Sequence, residues 1–295
     1  MAYGDVHSGY RGLAYISNVG NVRFGDASIS AKQVVEAPDL IMGDWDHDAY
    51  VYGKVEVGGT ISGPVTETFV SGSGGGTGLW SWGVKRDGDC GDLDSGDVTL
   101  YYYCGGSDKN SRTFSNMLVN TIGFSCAAGD IAQFNIDLMG MAAGDWAAAT
   151  PPHMTTGEKL MTWDVCSVQI SSGGEFDVPA NIAYSNFDFS ISNNLTPVYS
   201  LGQNDTVGLF PFDIVPGLRT ITGSISVYDT PQADGYDYWT DYAAEPVSVI
   251  TFNIGSLAID MKVRFHRVEP ASSVGPVVST IGFTGVTHQT GAAFN

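Results

Sequence analysis

Residues 247–286 read VSVITFNIGSLAIDMKVRFHRVEPASSVGPVVSTIGFTGV, and their alternation decides the fold class. Leu257, Ile259, Met261, Val263 and Phe265 alternate with Ala258, Asp260, Lys262, Arg264 and His266. Side chains of a strand point to opposite faces with period two, so this stretch predicts a strand with one apolar and one polar face. Ile250, Phe252 and Ile254 predict a similar strand before it, and Ile281 and Phe283 one after it. Glu269 to Pro276 is a compact turn-rich loop between the last two. A lone hairpin is marginal in water, so such strands need partners from the rest of the chain.

The composition agrees with that reading. The 295 residues include 38 glycines, 12% aromatics and only 15% charged residues, which suits short alternating strands better than helices. The length allows one large β domain or two smaller ones. Thirteen Lys and Arg against 32 Asp and Glu give a formal charge of -19. That excludes a general phosphate-binding surface, because nonspecific nucleic-acid affinity comes from cations. It suits a surface that must not adhere to nucleic acid, and equally a merely soluble or halophilic protein. No apolar run approaches the roughly 18 residues of a membrane span.

Cys90, Cys104, Cys126 and Cys166 show no zinc spacing. Cys126 closes the run Ile122-Phe124-Cys126 and reads as a small buried hydrophobe, while Cys90 and Cys104 could face each other across a hairpin. The opening Met-Ala-Tyr-Gly-Asp has no signal-peptide pattern, so the expectation is reduced thiols, a chain made in a cytoplasm and no use for the acceptor sequences at Asn194 and Asn204.

Residues 1–50 are weakly patterned and read as an extended amino-terminal arm or loop, with Glu36, Asp39, Asp44, Asp46 and Asp48 forming an acidic segment. Val55 and Val57 begin a strand, and Gly58-Gly59 mark a turn or bulge. Pro64 to Phe69 is a candidate short helix, and Tyr236 to Ala244 is the other, with Trp239, Tyr242 and Ala243 on one face. Val98 to Cys104 reads as a strand. The clearest hairpin is Ile122-Phe124-Cys126, the turn Ala128-Gly129-Asp130, then Phe134, Ile136 and Leu138 alternating with Gln133, Asn135 and Asp137. Val168 and Ile170 run out of phase with Trp163 and Val165, which suggests a bulge near Cys166. A second hairpin is expected where Phe187, Phe189 and Ile191 alternate with Asp188, Ser190 and Ser192 before Asn193-Asn194. Two stretches lack residues that pack locally: the glycine run with Gly72, Gly74 and Gly76, and the loop 140–157 with Gly144, Asp145 and Trp146. At least one of them is expected to be ordered against a neighbouring subunit.

Chemistry is hard to find. Asp87, Asp89, Asp92 and Asp94 offer oxygens for calcium, but the EF-hand order and its closing glutamate are missing, and a solvated acidic turn is the plainer reading. There is no P-loop, G-x-G-x-x-G or G-x-S-x-G motif, and the five histidines lack ligand spacing. Carboxylate pairs converge only in space, and 32 acids always supply one, so their presence argues nothing. No enzyme and no cofactor are expected.

Over residues 112–290 the chain resembles the tail tube protein of long-tailed bacteriophages. The carriers are Ser115 to Ile122, the hairpin ending Leu138-Met139-Gly140, Phe187 to Leu195, Leu201-Gly202, Pro216 to Ile225, and the closing strands from Met261 to Phe283. Their order and spacing carry the likeness, since none is a catalytic signature, and the first 110 residues match poorly. The resemblance implies a single all-β domain, mainly an antiparallel β-sandwich or half-barrel, with one short flanking helix and long loops. It implies a structural protein of the virion tail, assembled in the bacterial host cytoplasm. Its homo-oligomeric rings, commonly hexameric, would stack into a tube that passes DNA without binding it tightly. Tape measure, terminator and sheath proteins would be its partners, and no membrane. The lumen would then be acidic and lined by Gln133, Asn135, Asp137, Asp188, Ser190 and Ser192. A virion-decorating β-sandwich that recognises carbohydrate is the alternative, with 14 tyrosines and 6 tryptophans available for stacking on sugars.

Overall fold

The computed structural model describes residues 13–17, 19–36, 51–67, 69, 79–84, 86–87, 92–101, 111–150, 159–172, 184–200, 209–228, 248–266 and 278–286. The glycine run 72–78, Asp89, Cys90, Cys104, the candidate helix at 236–244, the loop 269–276 and the acidic residues 39–48 lie outside them.

The amino-terminal part is not the expected arm over residues 13–36. It forms β1 (Leu13–Ile16), β2 (Gly20–Arg23), β3 (Asp26–Ala27) and β4 (Ser30–Glu36). Leu13, Ala14, Ile16, Val22, Phe24 and Ile29 are buried in the core, so short strands with small apolar residues did not register as a pattern. β5 (Val51–Pro64) runs straight through Gly58-Gly59. Gly59 has φ of 146°, and a Cβ there would meet the Ser28 carbonyl oxygen at 2.5 Å, so the pair is a close approach between strands and not a turn. Pro64 ends this strand, and helical backbone begins only at Glu67, where the Thr66 hydroxyl accepts the Phe69 N–H at 3.3 Å.

The flanking helix is α1 (Leu79–Val84), too short and too rich in glycine and serine to show a helical period. It is fixed by side chains, because its last carbonyls have no partner within the helix. Asn193 Nδ2 donates to the Gly83 carbonyl at 2.9 Å, and the Arg219 guanidinium donates to the Val84 carbonyl and, at 3.0 Å, to Asn193 Oδ1.

The chain continues with β6 (Arg86–Asp87), β7 (Asp92–Leu93), β8 (Gly96–Tyr101), β9 (Ser111–Ala127), β10 (Gln133–Gly140) and β11 (Ala142–Ala143). β9 is the hinge of the architecture. Its first half pairs with β8 and β11, and its second half with β10 and β13 (Tyr184–Ser192). Between the halves Asn116 sits at φ 52°, where asparagine tolerates the left-handed region and bends the strand. Its N–H is taken by the Asp97 carboxylate at 3.0 Å.

β12 (Cys166–Ser172) follows a 3-10 turn at Trp163–Val165. That turn, not a bulge, shifts the phase of the apolar residues, and it leaves Trp163 exposed. β14 (Thr196–Val198) pairs with β15 (Asp213–Val215) as a separate two-stranded sheet, so the expected second hairpin does not form. β13 pairs instead with β9 and with β16 (Thr220–Tyr228). β17 (Ser248–Ile254), β18 (Leu257–Phe265) and β19 (Val278–Gly285) stand where alternation placed them.

The main sheet is antiparallel, in the order β12-β17-β18-β19-β16-β13-β9-β10-β5, with β3 and β4 on the far side of β5. It curls on itself. The Phe252 ring on β17 lies 4.6 Å from Phe189 and 5.1 Å from Phe187 on β13, although three strands separate them in the sheet. The enclosed face is the core, where Ile122, Ile136, Ile191, Ile225, Phe252 and Val263 are fully buried. Each such side chain contributes about 1.5–3 kcal/mol by leaving water. One contiguous apolar cluster runs from Ala14 to Phe283.

Candidate functional site

The outer positions of six adjacent strands form one polar face, and cross-strand register arranges it in rows. The middle row is Ser62, Asn135, Gly123, Ser190, Thr222 and Thr284. One flanking row is Thr60, Asp137, Thr121, Ser192 and Thr220; the other is Pro64, Gln133, Ser125, Asp188, Ser224 and Gly282. All six residues expected to line a lumen therefore share this face. Gln133, Asn135 and Asp188 are exposed, while neighbours half-bury Asp137, Ser190 and Ser192.

Hydroxyls dominate and bond laterally. Ser190 Oγ lies 3.3 Å from Thr222 Oγ1, Thr121 Oγ1 donates to Ser192 Oγ at 3.2 Å, and Ser224 Oγ donates to the Asp188 carboxylate. The Asn120 amide donates to Asp137 at 2.7 Å. In these rows the charged groups are Asp137 and Asp188, both acidic. At the two margins Asp26 pairs with Ser62 and Arg264 with Thr284.

A shallow trough of about 660 Å³ opens on this face between β3 and β13, floored by Gly25, Gly63 and Gly123 and edged by Asp26, Ser62, Asn135 and Asp188. Gly63 alternates toward the core beneath it and has no room for a side chain, since a Cβ would stand 2.8 Å from Phe24 Cα. The face offers water-bonding groups and scattered negative charge, without a nucleophile set against a base.

The other candidates fare differently. β6 and β7 pair Asp87 with Asp92 along the backbone, but no three acidic, histidine or cysteine side chains among the described residues stand together as a metal site. The candidate contact loop is locally ordered as far as it is described. β11 pairs with Ser115 and Phe114, the Gly144 N–H donates to the Thr113 carbonyl at 2.8 Å, and Ala147 exchanges backbone bonds with Ser111. Gly144, Asp145 and Trp146 are exposed on it. Gly72, Gly74 and Gly76 lie outside the described residues.

Two features escaped the sequence reading. The small sheet of β14 and β15 is pinned below by Ile214 against Leu118 and Leu195, yet Val198, Phe212, Val215 and Leu218 stay exposed, Leu218 to 77%. Irregular loops around Pro211 and Pro216 hid any period there. The second is a contact between Cys126 and Cys166, whose positions forty residues apart carry no spacing signal.

No match is found among curated proteins. A family model described as "Phage tail tube protein" matches residues 8–287, reaching about a hundred residues upstream of the 112–290 that the residue-level likeness covered, and so takes in β1 to β8 as well. This carries the tube reading over the carbohydrate-binding alternative. With nearly its whole length matched, the chain belongs to the phage tail tube protein family, and is a structural, non-enzymatic component of the virion tail.

Proposed function

We propose that this chain is a single-domain ring subunit whose hydroxyl-rich face, carried by β5, β10, β9, β13, β16 and β19, lines the channel of the tube. One observation carries the reading: three registered rows of neutral hydroxyls and amides, charged only by Asp137 and Asp188, back directly onto the core. A duplex passing such a wall meets water-bonding groups and weak repulsion, which suits transit without adhesion. Rings, hexameric as is common in the family, would use the strands at the sheet's margins. β12 pairs only with β17 among the described residues, and such edges invite a neighbouring chain. The apolar group Val198, Phe212, Val215 and Leu218 suits burial against a second copy of this chain, as expected for a self-assembling family. Tape measure, terminator and sheath proteins remain the partners expected at the ends and outside of the tube.

The test is accessibility in assembled tubes. A Ser190→Cys chain, compared with the parent, should react with a small maleimide both before and after assembly. A maleimide carried on a particle wider than the channel should label the monomer only. Equal labelling of the assembled tube by both reagents would place this face outside.

A further inference from the structure

We propose that Cys126 and Cys166 form an oxidation site, a dithiol poised to become a disulfide that staples the marginal strand β12 to β9 across the seam of the curled sheet. In sheet order five strands separate β9 from β12, so nothing in the ladder holds these two together. The curl does, through the segment before β12. The Ala132 N–H donates to the Met161 carbonyl at 2.8 Å, Ile131 bridges Thr162, and the Trp163 N–H donates to the Asp130 carbonyl at 3.0 Å. Cys126 lies just before this anchor on β9, and Cys166 just after it on β12.

The antiparallel bridge between Ile131 and Thr162 leads back toward Cys126 on one side and on toward Cys166 on the other, and both side chains pack in the same apolar cluster. Cys126 is buried on the core side, whereas Cys166 is partly exposed at the start of its strand. Their contact lowers the pKa of Cys126, whose thiolate is held by the neighbouring S–H, and raises that of Cys166, which keeps the remaining proton. The partly exposed Cys166 sulfur gives an oxidant access to the pair, and the second sulfur is at hand to resolve a mixed disulfide.

The chemistry balances with a low-molecular-weight disulfide such as oxidised glutathione. A thiolate of the pair breaks the S–S bond of the oxidant, keeps one half as a mixed disulfide and releases the other as a thiol. The second protein sulfur then displaces the retained half. Two protein thiols lose two electrons in all, and both protons end on the two released glutathiones. The bond formed closes the long stretch between β9 and β12, restricting the unfolded chain.

The purified full chain is incubated with oxidised glutathione and digested without reduction. The expected result is a linked peptide pair containing Cys126 and Cys166, with a rise of roughly 3–7 °C in unfolding temperature over the reduced chain. Both should reverse with dithiothreitol, and the temperature rise should vanish in Cys166→Ser. Peptide mapping of the parent needs no variant to fold. A glutathione adduct left on Cys166, a link confined to Cys90 and Cys104, or a Cys126–Cys166 bond without a change in unfolding temperature would each overturn the proposal.

Discussion

The side-chain amide of Asn120 donates to the Asp137 carboxylate at 2.7 Å where the β9–β10 register slips by one residue. Asp137 faces Thr121 and Leu138 faces Val119, so Asn120 is the extra residue of a bulge. Its Oδ1 accepts the Leu195 N–H at 2.9 Å and its carbonyl accepts the Asn193 N–H at 2.7 Å. One residue thus ties two strands to the segment leaving β13. Asn120→Ala strands both the Leu195 N–H and the Asp137 carboxylate, at a cost of about 1–3 kcal/mol. The midpoint of urea unfolding checks this, and a loss below about 0.5 kcal/mol would show that water replaces the amide.

Gly223 on β16 lies under the Phe283 ring. A Cβ at that position would press on the ring and stand 2.5 Å from the Asp188 carbonyl oxygen and 2.8 Å from Phe189 Cβ. The space is enclosed, because Phe189 and Phe283 flank it, Phe252 packs on both of them, and all three are buried. Gly223→Ala is therefore an overpacking substitution, expected to destabilise by about 1–3 kcal/mol with the urea m-value unchanged. An unchanged midpoint would mean that the Phe283 ring moves aside freely.

Period two fixes which face a side chain takes, but not which strand lies beside it. Hence the inward residues of β10, β13 and β18 were readable, as was the shared face of Gln133, Asn135, Asp137, Asp188, Ser190 and Ser192. The partner of β13 was not. Asn194, at φ 50°, turns the chain as its sequence suggests, but the strand beyond it leaves for β15 instead of folding back. β9 was read only from Ile122 onward, since the bend at Asn116 and the bulge at Asn120 break its alternation. The contact of Cys126 with Cys166 needs the curl of the whole sheet, which no local pattern encodes.

Phe212 is 67% exposed and Leu218 77%, in the segments flanking β15, while Val198 and Val215 are exposed on the small sheet itself. Loss of Phe212 and Leu218 should leave the core untouched, because neither belongs to the buried cluster of Leu118, Leu195 and Ile214 that anchors the small sheet. Phe212→Ser with Leu218→Ser should therefore change monomer stability by less than about 0.5 kcal/mol. Assembly should suffer, with sedimentation showing monomers at concentrations where the parent forms tubes. Normal polymerisation of the double variant would remove this patch from the list of contacts between copies.

Asp188 and Ser190 sit on adjacent rows of the polar face, and neither anchors the fold as Asp137 does through Asn120. Asp188→Lys with Ser190→Lys changes the formal charge by three per subunit, from minus one to plus two at these two positions. The Asp188 carboxylate gives up only a bond from Ser224 at an exposed site, so the monomer should lose less than about 1 kcal/mol. In a ring the reversal would be repeated by every copy, and with this face lining the channel as proposed it would give the wall a cationic band. A duplex in that channel would release counterions to the lysines, and retention would fall steeply with salt. Mutant tubes should therefore hold DNA at about 50 mM salt and release it by about 200 mM, whereas parent tubes hold none at either. Protection of the retained DNA from nuclease locates it inside. If the variant tubes bind DNA that nuclease digests freely, the face lies on the exterior of the tube; if they bind none, it faces neither water-filled space.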